Sequence, residues 1–379
     1  MESVNNRPIR VLHVVTHLNR NGLESRIMDI YRNIDRSKVQ FDFMIHREDL
    51  GDFGEEIQKL GGKVYHMPRI TPRHFIRYIK ELDRFFTEHK EFKIVHAHLN
   101  SLCTWVLRAA YNHGVPVRIA HSRNASMEKN LRGIPKMISK QFVNRYATDR
   151  FGCSQMAGDW LFGKRYSRGK TFRVIPNAFQ VDRFVWDPIL REKKREELGV
   201  SDNTVFLDIA RLSEQKNHIY LLMIFEEIKK IIPNAVLLLA GAGECEDKIK
   251  TYIINHNLSD SVSMLGARSD AAELYQAADM FLFPSKYEGF GTVVIEAQMT
   301  NLPVIASNTI PSETKLCDCV EFLSIKSLPQ CWAEKAAELL KTSIRKDNLM
   351  ILQKAGFDIR KQYILMQEFY LNKYKEQCG

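Results

Sequence analysis

Twice along this chain, short runs rich in β-branched and aromatic residues alternate with segments of helical length, and that alternation limits the folds open to it. One series is IRVLHVVT (9–16), QFDFMIH (40–46), KVYHM (63–67), KIVHAH (93–98), VRIAHS (117–122) and FRVIPN (172–177). The second is TVFLDIARL (204–212), AVLLLAGAGE (235–244), SVSMLG (261–266), MFLFPS (280–285), PVIAS (303–307) and EFLSI (321–325). Of the intervening segments, residues 72–89 carry Phe75, Tyr78, Ile79, Leu82 and Phe86 on one helical face. Strands separated by helices predict parallel β-α-β crossovers, and a pattern that restarts predicts two doubly wound α/β domains. With 379 residues, and roughly 150 per domain, each domain can bury its own core. The stretch VIPNAFQVDRFVWDP (174–188), with a proline near each end and a charged run after it, places a hinge near residue 180. Ligands of open α/β sheets bind outside the carboxyl ends of the strands, so we expect a central cleft there.

Composition narrows the partners. The first apolar stretch, Val11 to Val15, is five residues long and contains a histidine, whereas a secretory core needs about 7–15 apolar residues. No run approaches the roughly 20 apolar residues that span a bilayer. Cysteines at 103, 153, 245, 317, 319, 331 and 378 lack CxxC spacing, which favours a reducing cytosol, and Cys317 with Cys319 supplies only half a tetrahedral metal site. The formal charge of +10 is uneven: residues 1–180 hold 31 Lys and Arg against 17 Asp and Glu. That half should attract something anionic. No Cys/His finger, RNP-like aromatic pattern or dense basic tail is present, so we expect no nucleic acid. A phosphate-bearing substrate or an acidic bilayer surface remains. Residues 131–145 set Leu131, Ile134, Ile138 and Phe142 on one face with Arg132, Lys136, Lys140 and Arg145 around it. They predict a half-buried helix or, alternatively, one lying on a membrane surface.

Two segments carry chemistry. In KYEGFGTVVIEA (286–297), a helix is expected to begin near Thr292 as N-cap, leaving Glu288 on the preceding loop and Glu296 one turn inside. Gly289 and Gly291 let the backbone approach a ligand closely, and helix-start amides favour anionic oxygen. In ARLSEQKNH (210–218), Arg211 and Lys216 lie on a strand-to-helix loop, where two cations can clamp a diphosphate. Taken singly, the acids can serve only the helix dipole or solvent, and the cations can be a solvated basic loop.

Together these segments resemble the retaining GT-B glycosyltransferases of glycosyltransferase family 4, especially bacterial members that build capsular polysaccharide and exopolysaccharide. The resemblance runs in family order through HVVTHLNRNGLES, HAHLNS, RIAHSRNAS, VIPNAF, IARLSEQKNH, LLLAGAGE, VSMLGARSD, FLFPSKYEGFGTVVIEAQ and LPVIAS. It implies that Glu288 binds donor-sugar hydroxyls, that the main chain of Gly289, Phe290, Gly291 and Thr292 holds the sugar and its phosphate, and that Glu296 meets the nucleotide ribose. Arg211 and Lys216 would neutralise the departing diphosphate. Gly22 and Asn21, where the family usually has Gly-Gly, would meet the donor phosphate or the acceptor from the first strand-to-helix turn. His121 matches the family histidine that reaches the sugar and the acceptor. The family often reads HSHN where this chain reads HSRN, which assigns Arg123 to an acceptor phosphate. His96 and His98 alternate along a strand, so one of them, taken as His98, should face the acceptor. GAGE (241–244) reads as a strand-end turn with a supporting contact to the donor.

The resemblance also implies an α/β, GT-B architecture of two Rossmann-like doubly wound domains facing a central cleft. An acceptor-side domain would cover 1–178, a nucleotide-sugar domain 179–357, and a helix over 358–379 would cross back. The expected activity is retaining transfer of a hexosyl unit from a UDP-sugar to a polyprenyl-diphosphate-linked glycan, in the cytoplasm or peripheral on the inner face of the cell membrane. The chain contains no D-x-D, so no metal and no cofactor beyond the nucleotide-sugar substrate is expected. The alternatives are a GT-B sugar-nucleotide epimerase and a non-catalytic sugar-nucleotide-binding partner of a polysaccharide assembly complex.

Overall fold

The structure, a computed structural model, describes residues 7–20, 22–123, 134–345 and 348–378. It divides into two compact units: Met1–Phe179 with Asp358–Gly379, and Gln180–Phe357.

Among the described residues, the first unit is built on seven strands: β1 (Ile9–Val14), β2 (Val39–Ile45), β3 (Val64–His66), β4 (Ile94–Ala97), β5 (Val117–Ser122), β6 (Asp149–Gly152) and β7 (Phe172–Val174). They pair in parallel in the order β3-β2-β1-β4-β5-β6-β7. A parallel sheet is covered on both faces, and accordingly every residue of β2 is buried. The two-residue alternation of side chains sorts the core into two layers. Val11, Val15, Ile94 and Ile119 pack with Ile27, Met28 and Tyr31 of the helix Gly22–Asn33 and with Met366 and Tyr370 of the helix Ile359–Cys378. Leu12, Val14, Val95 and Ala120 pack with Tyr78, Leu82 and Phe86 of the helix Phe75–Glu88.

The terminal helix buries Ile359, Gln362, Met366 and Tyr370, a stripe at three- and four-residue spacing. Its start is tied by the Ile359 amide donating to the Phe179 carbonyl at 2.9 Å and by the Gln362 amide donating to Pro176. Sequence periodicity did not announce β6, because its four residues, DRFG, include an acid, a base and a glycine. All four are nonetheless buried, and the Arg150 guanidinium donates to the Asn144 and Ala147 carbonyls and to the side chains of Asn144 and Thr171.

The described residues of the second unit form six strands: β8 (Thr204–Ile209), β9 (Ala235–Ala240), β10 (Val262–Gly266), β11 (Met280–Phe283), β12 (Val304–Ser307) and β13 (Val320–Leu323), in the order β10-β9-β8-β11-β12-β13. One face is filled by Leu221, Leu222, Phe225 and Ile228 of the helix His218–Ile231, together with the fully buried Trp332. In each unit the strand order reverses once, between β1 and β4 and between β8 and β11. Crevices form at such points, beyond the carboxyl ends of the strands.

The basic segment over 131–145 differs from expectation. The described helix is Ile134–Tyr146, and Leu131 and Arg132 lie outside the described residues. It turns Ser139 and Val143 inward, and Ile138 and Phe142, expected on the packed face, are about half exposed together with Met137. Polar docking explains the rotation: Thr104 donates to the Ser139 carbonyl at 2.6 Å and the Trp105 indole to its hydroxyl at 2.9 Å.

Candidate active site

In the second unit, the loops after β8 and β11, the two strands at the switch point, carry the candidate residues. Lys216 and Glu288 meet: Nζ lies 2.6 Å from Glu288 Oε1, and the ammonium sits 4.8 Å from the centre of the Phe283 ring. Ser285 Oγ donates to the same Oε1 at 2.6 Å, whereas Glu288 Oε2 accepts no hydrogen bond among the described residues. One carboxylate oxygen therefore fixes Lys216, and the other is left open. The two loops are laced by the Gln215 amide donating to the Tyr287 carbonyl at 2.7 Å and the Lys286 amide donating to the Gln215 carbonyl at 2.8 Å. Asn217 takes a left-handed backbone, φ 62°, to turn the chain into its helix. Arg211 is largely exposed, and among the described residues it is held by a 3.5 Å contact to Glu244.

The helix Thr292–Met299 starts one residue away from the sequence expectation. The cap is Gly291, at φ 82° and ψ 51°, and Thr292 is the first helical residue. A side chain at 291 would be strained, and its Cβ would lie 2.9 Å from Ile310 Cγ2. Phe290 is buried against Phe357, ring centres 5.7 Å apart, so only its main chain is available to a ligand. Glu296 is buried and accepts from the Tyr275 hydroxyl at 3.0 Å.

GAGE is a turn between β9 and its helix, and its glycines are steric. A Cβ at Gly241 would fall 1.9 Å from the Ala210 carbonyl oxygen, and one at Gly243 would fall 2.4 Å from that of Leu212. The turn thus packs against the backbone on either side of Arg211. Gly241→Ala should cost at least about 2 kcal/mol, read as a lower urea midpoint.

In the first unit the sheet places His13, His96 and His121 on neighbouring strands β1, β4 and β5, on the face covered by the terminal helix. All three are buried, and His98 joins them. The expected alternation of His96 and His98 fails because residues two apart point to the same face of a strand, and His98 directly follows β4. Beyond it the chain turns, and the two rings lie 4.2 Å apart, stacked. Four contacts link the group: His96 Nδ1 to the Tyr370 hydroxyl at 2.8 Å, His96 Nε2 to His121 Nδ1 at 3.0 Å, His98 Nε2 to His13 Nδ1 at 3.1 Å, and Arg123 Nη2 to His98 Nδ1 at 3.2 Å. Burial, reinforced by the Arg123 charge, pushes the His13 pKa down to about 3 and holds those of His96, His98 and His121 well below the usual value. Burial also lowers Arg123 itself, to about 10. Gly22 opens its helix, exposed, with nothing within 4 Å of where a Cβ would sit, so packing does not require glycine there. Asn21 lies outside the described residues.

A family model described as "Glycosyl transferases group 1" matches residues 191–353. A putative glycosyltransferase, EpsF of Bacillus subtilis, is 31% identical over 339 residues, 88% of each chain. The chain belongs to the group 1 glycosyltransferases, glycosyltransferase family 4. The UDP-Gal:α-D-GlcNAc-diphosphoundecaprenol α-1,3-galactosyltransferase of Escherichia coli is 30% identical over 230 residues, 58% of each chain. Anabaena HepE, solved with UDP, superposes with a TM-score of 0.78 at 19% identity, covering 96% of this chain and all of that one. The fold is therefore GT-B.

Several residues of this glycosyltransferase that bear on the site escaped the sequence reading. Ser285 and Tyr275 are ordinary in sequence, yet they bond Glu288 and Glu296. Asp208 and His218, 3.0 Å apart and buried, bracket the loop that carries Arg211 and Lys216. Glu24 is buried in the first turn of its helix, and burial raises its pKa to about 7 despite the Arg123 charge, a perturbation typical of functional sites. His13, His96 and His98 are close enough to share a metal ion. Both nitrogens of His96 and Nδ1 of His98 are already bonded, however, and a cation would sit beside a guanidinium. Cys317 and Cys319 hold their sulfurs 2.8 Å apart. Among the described residues they belong to no group of three candidate metal ligands.

Proposed function

We propose that this glycosyltransferase moves a hexosyl unit, with retention of configuration, from a UDP-sugar to a hydroxyl of a polyprenyl-diphosphate-linked glycan in capsular or exopolysaccharide assembly. The observation that carries the reading is the division of labour at Glu288: Oε1 orients Lys216 while Oε2 stays open. An ammonium has three donors, so Lys216 can keep Glu288 and still bond a phosphate oxygen. Arg211, loosely held, supplies a second cation with a forked geometry. As the sugar–oxygen bond breaks, negative charge grows on the diphosphate, and the two cations with the helix start at Gly291 and Thr292 stabilise it. Glu288 Oε2 accepts from a sugar hydroxyl, and Glu296 accepts from the ribose. With this charge stabilisation the leaving group needs no metal, and the acceptor attacks from the face it vacates.

His121, His98 and Arg123 serve the acceptor side in this reading, with Gly22 and Asn21 at the phosphate. Support for a lipid-linked acceptor comes from the E. coli relative's substrate and from the exposed Met137, Ile138 and Phe142, which lie on a helix with Lys136 and Arg145 and suit a bilayer surface. Among the described residues no helix is long and apolar enough to cross a membrane, so contact would be peripheral.

The test is a panel of UDP- and GDP-sugars in thermal shift, followed by turnover. A UDP-sugar at about 100 times its Kd stabilises by about 2.7 kcal/mol. UDP should then be released only when a polyprenyl-diphosphate glycan is added, and EDTA should not change the rate. Product formation without acceptor would favour an epimerase, and stabilisation without any turnover would favour a binding partner.

A further inference from the structure

Two hydrogen-bond chains cross the histidine cluster of the first unit, and each begins at a group that has a proton to give. The Tyr370 hydroxyl is fully buried, and among the described residues its hydrogen-bond partner is His96 Nδ1, 2.8 Å away. If Tyr370 donates, His96 Nδ1 is the acceptor and the His96 proton sits on Nε2, pointing at His121 Nδ1, 3.0 Å away. His121 Nδ1 then accepts, and the His121 proton sits on Nε2. That nitrogen is buried and has no partner among the described residues. The opposite polarity would strand two groups, the Tyr370 O–H and the His121 Nε2 lone pair, where this one strands a single N–H. Buried polar groups are rarely left unpaired, so the first arrangement wins.

The second chain agrees. A guanidinium has no acceptor, so Arg123 must donate to His98 Nδ1. His98 Nε2–H then donates to His13 Nδ1, and His13 ends as an Nε2–H that is likewise buried and unpartnered among the described residues. The residues at which both chains end, His13 and His121, line one small cavity together with Arg123 and Asn177.

We propose that Tyr370 and His96 are positioning residues that hold His121 as its Nε2–H tautomer, so that His121 acts on the substrate as a fixed hydrogen-bond donor and not as a proton acceptor. The role in turnover rests on the glycosyl transfer proposed above; the tautomer does not. A base would need a free lone pair facing the substrate, and in this arrangement His96 occupies one nitrogen and a proton the other. The ring does not take a second proton either, because it is buried beside Arg123 and His96. The terminal helix thus reaches the site through one hydroxyl.

The experiment is two-bond 1H–15N correlation NMR of 15N-histidine-labelled full-length protein at neutral pH, with His121 assigned by its loss in His121→Gln. The expected spectrum has His121 protonated on Nε2 alone. Tyr370→Phe, which keeps the ring and removes the hydroxyl, should let His121 populate both tautomers. A His121 protonated on Nδ1 in the parent, or a His121 signal unmoved by Tyr370→Phe, overturns the proposal. In turnover, His121→Ala should lose about 10²-fold in kcat, while His121→Gln, whose amide N–H can stand near Nε2–H, should stay within about tenfold of the parent. Equal losses in the two variants would also overturn it. The spectra need no substrate, so they stand or fall separately from the transferase reading.

Discussion

On the proposed transfer, Lys216→Ala should lower kcat with the nucleotide-sugar donor by about 10²–10³-fold, the usual loss when one preorganised donor to a developing oxyanion is removed. The effect belongs in kcat because the diphosphate gains its extra charge only as the sugar departs, so ground-state binding changes less. Preorganisation is what makes Lys216 costly to lose. Its ammonium is pinned between Glu288 Oε1 at 2.6 Å and the face of Phe283, and Glu288 is itself pinned by Ser285. Arg211, exposed and held at 3.5 Å by Glu244, must order itself on each turnover. Arg211→Ala should therefore cost less than Lys216→Ala, with more of its loss in KM. Steady-state kinetics on the two variants decide it: a Lys216→Ala enzyme within threefold of the parent would remove Lys216 from the chemistry.

The frame was open to reading because apolar alternation and helical spacing report burial, which is a local property of each segment. All twelve runs expected as strands contain one, and the strand that escaped, β6, is the one whose burial rests on Arg150 hydrogen bonds. The site was legible only as far as residue type alone signals chemistry. Glu288 and Lys216 stand out as charges beside apolar runs. Ser285, Tyr275 and Tyr370 do not, because a hydroxyl three residues or 274 residues from its partner leaves no periodic trace. One signal was available and overlooked: VLHVV, KIVHAH and RIAHS each insert histidine at the in-phase position of a buried strand. In a parallel sheet that phase aligns them on one face. The helix cap falls at Gly291 in place of Thr292 because the chain turns there through a left-handed residue that glycine takes without strain, and the outward turn of Ile138 and Phe142 follows from hydrogen bonds with Thr104 and Trp105, distant in sequence.

The same histidines should make the first unit acid-labile. His13 falls to about 3, His46 to about 4, and His96, His98 and His121 well below the usual value, each chiefly through burial. In the unfolded chain each regains a pKa near 6.5. Between pH 6.5 and 5.5 the unfolded state therefore binds protons that the native state refuses, and stability falls with pH. Five such groups lose about 1 kcal/mol each over that unit of pH. Glu24 works against them. Its raised pKa, about 7, means the native state takes up the proton first, which returns about 1 kcal/mol on the way down. The net is a loss of about 4 kcal/mol, a large part of the 5–15 kcal/mol that typically holds a domain together, and a fall in Tm of about 10 °C. Hydrogen exchange localises the loss: amides of β1, β4 and β5 should lose protection at pH 5.5 after correction for intrinsic rates. Protection in those strands that is equal at pH 6.5 and 5.5 would mean the imidazoles are already charged or solvated in the native protein, and the buried neutral cluster would be wrong.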